Sequence, residues 1–296
     1  MGEGGGAGGK SPDDVVSEIA DDLIRRCPEI VDRTKGDPSS FAITDAGTMI
    51  SLGTVLSQEI DQFNRLLKVT KSSLLELKRA IKGEVVMSAT MEMMYNCLSF
   101  NKVPENWKKV GYLCLKPLAS YYIDLGERIR FISGWCYHGA PKSFWLPGLF
   151  FPQGFVTGVF QTHSRKHKMS IDSIKFRFYP QELTIEELPQ LDSGVYTHGY
   201  YLEGASWKDN KLSESRPGTL FTELPPIHFM PVPITDKNPS NIYECPLYKA
   251  STRAGTLSTT GLSTNFVLTL QLPSPPEFDQ DHWIGRGVAA LCMLDS

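Results

Sequence analysis

The sequence lacks any apolar run long enough to cross a bilayer as a helix. Its most apolar stretch, Trp145 to Phe160, is interrupted by Pro147, Gly148, Pro152, Gln153 and Gly154. It stops short of the roughly 20 continuous apolar residues that a membrane span needs. Paired cysteines are missing as well: the six, at positions 27, 97, 114, 136, 245 and 292, contain no CxxC. That scatter reads as reduced core thiols of an intracellular protein, and excludes a disulfide framework or a cysteine zinc site. There is no excess of basic charge, with 30 Lys and Arg against 33 Asp and Glu and a pI near 6.1. This argues against a dedicated nucleic-acid binder. Glycines stand where a secretory leader would carry a basic stretch followed by an apolar one. The expectation is a soluble protein with neither membrane nor nucleic acid as partner.

What is present is globular. A polypeptide of 296 residues, 41% hydrophobic and 21% charged, can bury a core without staples. Residues 1–10 form a glycine-rich linker. Ser11 as N-cap, Pro12 at the first helical position and Asp13 and Asp14 behind them open a helix. Val15, Val16, Ile19, Leu23 and Ile24 give it an apolar stripe, and Pro28 ends it. A longer pattern from Thr44 to Lys82 repeats Met49, Leu52, Leu56, Ile60, Phe63, Leu67, Leu74, Leu77 and Ile81 at helical steps. Glu59, Asp61, Lys68, Lys71, Lys78 and Arg79 lie between them. A kink is allowed at Thr70–Ser73 and a stop is expected at Gly83. Further helices are expected over Met87–Phe100, Leu118–His138 and Gly154–Lys168.

After Ser170 the period drops from 3.6 to 2. Strand-like runs follow at Ile171–Phe178, Val195–Trp207, Ile227–Val232, Ile242–Tyr248, Asn265–Leu272 and Val288–Leu294, in the manner of a sandwich or barrel. Charge divides at the same place, with 21 basic and 18 acidic groups before residue 169 and 9 and 15 after it. A helical subdomain over 11–168 and a β subdomain over 169–296 are expected.

No motif survives its chemistry. Gly4–Ser11 matches GxxxxGK[ST], yet no strand precedes it to aim its amides at phosphate, so it reads as a linker. His163 and His167 are four apart, but Ser164 stands where a zinc protease needs glutamate, and Arg165, Lys166 and Lys168 repel a cation. Cys136 and His138, two apart on a helix, face different ways and cannot form a dyad. His198, His228 and His282 read as structural residues. The Ser- and Thr-rich stretch 251–265 reads as strand edges and turns, with a phosphosite as the alternative. The aromatic pairs Phe144–Trp145 and Phe150–Phe151, without a basic stripe beside them, read as packing at the helical–β junction. No catalytic, cofactor-binding or metal-ligating residue is assigned, and no cofactor is expected.

Specific phrases then accumulate in order. Phe63-Asn64-Arg65-Leu66-Leu67, Ala80-Ile81-Lys82-Gly83 and Lys102-Val103-Pro104 before Trp107 come first. Phe144 to Phe155 (FWLPGLFFPQGF) and Leu202-Glu203-Gly204-Ala205 before Trp207 follow. Tyr243 to Tyr248, Ser263 to Val267 and His282-Trp283-Ile284 before Arg286-Gly287-Val288-Ala289 complete the set. Together they resemble the C-terminal domain of dynein heavy chains. Arg253 to Gly261 is similar to the axonemal rather than the cytoplasmic type, and Lys208 departs from the family's usual aspartate. The resemblance implies helices followed by a small antiparallel β-barrel, an α+β fold. It implies a non-catalytic domain that packs on the AAA+ ring of its own heavy chain and tunes the microtubule-based motility of cilia and flagella. The ATPase sites would lie upstream. Implied partners are the ring modules and dynein complex subunits, with microtubules only indirectly, in the cytoskeleton of the ciliary or flagellar axoneme. Phe144, Trp145, Pro147, Gly148, Phe151, Pro152, Gly154, Trp207 and Trp283 are the junction candidates. The alternatives are a free-standing ligand-binding β-barrel module and a P-loop nucleotide enzyme.

Overall fold

A computed structural model describes residues 10–253, 255, 261 and 263–294. Helix α1 (Pro12–Arg26) starts on a capping box in which Ser11 Oγ accepts from the Asp14 amide at 3.1 Å and Asp14 accepts from the Ser11 amide at 3.2 Å. Helix α2 (Ser51–Ile81) begins later than its apolar period suggests. The residues before it close a small turn instead, bridging Ile43 to Met49 with Gly47 at φ +75°. Its 31 residues span ~46 Å at 1.5 Å per residue. The helix runs unbroken through Thr70–Ser73, where the Ser72 and Ser73 hydroxyls donate to the Val69 and Thr70 carbonyls. The helix stops where expected: Gly83 at φ +74° closes a Schellman pair, with Gly83 N donating to Ala80 O and Glu84 N to Arg79 O. Helices α3 (Ala89–Ser99), α4 (Glu105–Lys108) and α5 (Leu118–His138) pack around α2.

Strand β1 (Ser143–Trp145) and helix α6 (Pro152–His167) complete the first part of the polypeptide. Ten more strands follow: β2 (Ile174–Pro180), β3 (Val195–His198), β4 (Tyr201–Glu203), β5 (Ser206–Lys208), β6 (Lys211–Ser213), β7 (Phe221–Glu223), β8 (Ile227–Pro233), β9 (Ile242–Tyr248), β10 (Phe266–Pro273) and β11 (Ala289–Leu291). Helix α7 (Gln280–Gly285) precedes β11.

The expected antiparallel β-barrel is corrected by this topology. Among the described residues the strands form three open sheets, ordered β1-β3-β8-β2, β10-β9-β11-β4-β7 and β5-β6, and none closes on itself. Nor is the pairing wholly antiparallel: β1 runs parallel to β3, and β11 parallel to β9. Strand β1 lies within 11–168, the expected helical subdomain, so the helices are not simply followed by the strands. The ligand-binding alternative loses the barrel it was built on. The run Val195–Trp207 shows the physical reason. Gly199 at φ +94° and Gly204 at φ +79° turn the backbone twice, sending three successive short strands into three different sheets. A two-residue period reports which side chains are buried, not which strand lies alongside.

A single cluster of buried apolar side chains runs from Val16 on α1 through Leu56, Phe63 and Trp135 to Phe229, Leu247 and Ala290 in the sheets. No helix among the described residues is long and apolar enough to cross a membrane.

Candidate functional site: the helix–sheet junction

The segment from Ser143 to Phe155 passes from β1 through a 3-10 turn (Leu146–Gly148) into α6. Alternation along β1 sends neighbouring rings to opposite sides. Phe144 is buried, edge-on to Trp135 at 4.9 Å and tilted against Phe155 at 4.8 Å. Trp145 is half-buried, not the sealed plug that its Pro/Gly-rich setting suggests. Its indole lies in a slot between two glycines. A Cβ on Gly148 would fall 2.4 Å from Trp145 Cε3, and one on Gly199 would fall 2.5 Å from Cδ1. Phe131 meets the indole edge-on at 6.1 Å, and the Arg128 guanidinium carbon sits 5.3 Å from its ring centroid.

Pro147 and Gly148 are buried within the turn, and Pro152 is buried at the start of α6. Gly154 is half-exposed on the first turn of α6, while the Phe151 ring is 45% exposed. The other two candidates stand elsewhere. Trp207 is half-buried on the β5–β6 hairpin. Trp283 is fully buried on α7, donating Nε1 to Ser274 Oγ at 2.8 Å and packing against Phe278 at 5.4 Å.

Three buried charges hold the junction, and sequence reading alone did not single them out. Arg128 is 2% exposed. It donates Nε to Asp124 Oδ2 at 2.6 Å and Nη1 to the Pro147 carbonyl at 2.6 Å, and lies 3.9 Å above the Tyr112 ring. Lys116 Nζ approaches the far oxygen of Asp124 at 4.0 Å. Glu59 on α2 is fully buried and accepts the Phe150 and Phe151 amides at 2.7 and 2.9 Å. It thereby ties α2 to the entry of α6. One signal was present: Glu59 falls three residues after Leu56 and four before Phe63, on the apolar face of α2. For Asp124 and Arg128 the i,i+4 spacing is that of an ordinary surface pair and gives no hint of burial.

Burial pushes the Glu59 carboxyl up to about 7, against the opposing pull of the two amides and of Arg128. Because the folded value lies above the unfolded one of 4.5, this group's stabilisation is complete below about pH 4.5 and is lost as pH rises through about 7. Wild type should therefore lose roughly 3 kcal/mol more than Glu59→Gln between pH 4.5 and pH 8. Urea titrations of both proteins across that range test it; parallel stability profiles would refute it.

Three of the histidines are hydrogen-bonded within the fold. Burial pushes His198 down to about 4, leaving a neutral ring whose Nδ1 is 2.9 Å from Ser143 Oγ across the β1–β3 pair. His228 Nε2 donates to the Ser193 carbonyl at 2.9 Å, and His163 Nδ1 meets Ser193 Oγ at 2.9 Å. His163 and His167 lie with rings 4.2 Å apart. Cys136 is buried and His138 exposed. Burial pushes the Cys245 and Cys292 thiols up to about 12. Among the described residues no three His, Cys, Asp or Glu converge on a point that could hold a metal. Lys10 pairs with Glu18 at 2.7 Å, and Ser11 caps α1. Gly4–Gly9 and part of the 251–265 stretch lie outside the described residues.

The arrangement links α2, α5, the 146–151 turn and β3 into one corner, with its charges satisfied by one another and by main-chain atoms. The sequence profile for the C-terminal domain of the dynein heavy chain matches residues 1–292. Human dynein axonemal heavy chain 6 is 41% identical over 98% of this sequence. Human dynein axonemal heavy chain 3 is 43% identical over 98%, and rat dynein axonemal heavy chain 1 is 43% identical over 97%. The 296 residues span only 6–7% of the length of these relatives.

Proposed function

We propose, from the premise that this protein belongs to the family of C-terminal domains of dynein heavy chains, that it is a non-catalytic brace on the AAA+ ring of its own heavy chain. In this reading it tunes ciliary motor output, and ATP hydrolysis and track binding belong to upstream parts of the heavy chain. Its partners are the ring modules and dynein complex subunits, with microtubules reached only indirectly. The axonemal names of its relatives support a place in the axoneme of a cilium or flagellum. Residues 11–168 and 169–296 are its two working parts, one mainly helical and one mainly of strands.

The observation that carries this reading is the junction. A brace must pass displacement from one contact to another, and packed cores do so because they are bistable rather than continuously deformable. Here Glu59 and Arg128 tie α2 and α5 to the 146–151 turn, and Trp145 of β1 is held beside it between Gly148 and Gly199. Loosening that corner in an intact axonemal heavy chain, with Trp145→Ala, should leave basal ATPase near wild type. Microtubule-stimulated rate, stall force or run length should change, on the order of fivefold for a coupling of ~1 kcal/mol. Loss of basal ATPase in a folded motor would end the non-catalytic reading. Unchanged force, run length and stimulated rate would end the regulatory one.

A further inference from the structure

The outward face of α2 carries a charge pattern that neither the junction nor the ring reading uses. From Arg65 to its C-cap Lys82 the helix presents six basic residues and one acidic residue, Glu76, in a protein whose net charge is −3. Arg65, Lys68, Lys71, Arg79 and Lys82 are exposed. At three-residue steps within each group, and through position 75 between them, they form a stripe ~26 Å long. Leu75 lies within it, 46% exposed.

Helix-end electrostatics account for part of this. Arg79 and Lys82 stand by the C-terminus, where cations are favoured, and Arg79 also meets Glu84 at 3.4 Å. Lys78 turns aside to pair with Asp21 of α1. Arg65, Lys68 and Lys71 have no such account. They sit mid-helix, and none pairs with a carboxylate among the described residues. Successive like charges three apart repel and cost helix stability. An acidic surface laid along the stripe would relieve that repulsion.

We propose that this face of α2 docks an acidic polypeptide segment, with Leu75 as its apolar contact. The proposal does not depend on the ring reading. A polypeptide fits better than the other polyanions. The stripe is one helix wide and offers no aromatic ring for base stacking. The acidic balance of the rest of the protein disfavours a broad anionic surface such as duplex DNA or a membrane.

The test uses the full 296-residue protein and a fluorescent polyglutamate peptide of ~18 residues, long enough to cover the stripe as a helix. Saturable binding in low salt that weakens as salt is added is expected. Replacing Arg65, Lys68 and Lys71 together with Gln should weaken it roughly tenfold, as loss of three exposed ion pairs implies. The melting temperature of this variant should hold or rise, because repulsion is removed. Arg165→Gln with Lys168→Gln, on the exposed end of α6, should leave binding unchanged. Absence of saturable binding, an equal loss in the α6 variant, or tighter binding to anionic vesicles or duplex DNA than to the peptide would each overturn the proposal.

Discussion

Arg128→Ala should unfold the protein some 10 °C below wild type. The substitution strands Asp124 in the interior, where its side chain is 8% exposed and the one other cation paired with it among the described residues, Lys116, is 4.0 Å away. It also takes the donor from the Pro147 carbonyl and the cation from the face of Tyr112. Removing one member of a buried ion pair costs about 3–5 kcal/mol, chiefly because the survivor is left uncompensated. In a domain of this size ~1 kcal/mol moves the midpoint by roughly 2–4 °C. The double change Asp124→Asn with Arg128→Met should recover most of the loss, since it leaves no buried charge alone. Calorimetry of the three proteins makes the comparison. A single variant that melts within a degree or two of wild type would show that Asp124 is hydrated in solution and that the pair does not hold the junction.

Trp145→Ala should cost about 3 kcal/mol, the low end for a tryptophan truncation because the ring is half-buried. The informative measurement is its coupling to Gly148→Ala. Alone, Gly148→Ala drives a methyl to 2.4 Å from the indole and should destabilise by about 1–3 kcal/mol through overpacking. Once the indole is gone the same methyl enters empty space, so the double variant should lose much less than the two singles together. A coupling near 1–2 kcal/mol from a urea double-mutant cycle is expected for side chains in direct contact. Strict additivity would mean that the slot is not how this ring is held.

The helices were largely legible in the residues themselves. Ser11-Pro12-Asp13-Asp14 specified the start of α1, Gly83 the end of α2, and the apolar period of α5 its extent, because capping and helical periodicity are local effects. Most runs of period two became strands for the same reason. The Phe144–Phe155 segment stood out in the residues only as a tight string of aromatics, Pro and Gly. The barrel was not there to be found. Whether β11 inserts between β9 and β4, or β1 runs beside β3, depends on segments far apart in sequence, and alternation holds no mark of the partner.

By itself, then, the sequence determined where helices begin and end, which faces are apolar, and the family to which the protein belongs. Tertiary structure alone decided that the sheets stay open, that Trp145 rests between the backbones of Gly148 and Gly199, and that Glu59, Asp124 and Arg128 lie inside. The physical reason is range. Caps and periodicities act over one or two turns, whereas burial of a charge is set by everything packed around it, and here that surrounding comes from α2, α5 and the 146–151 turn at once.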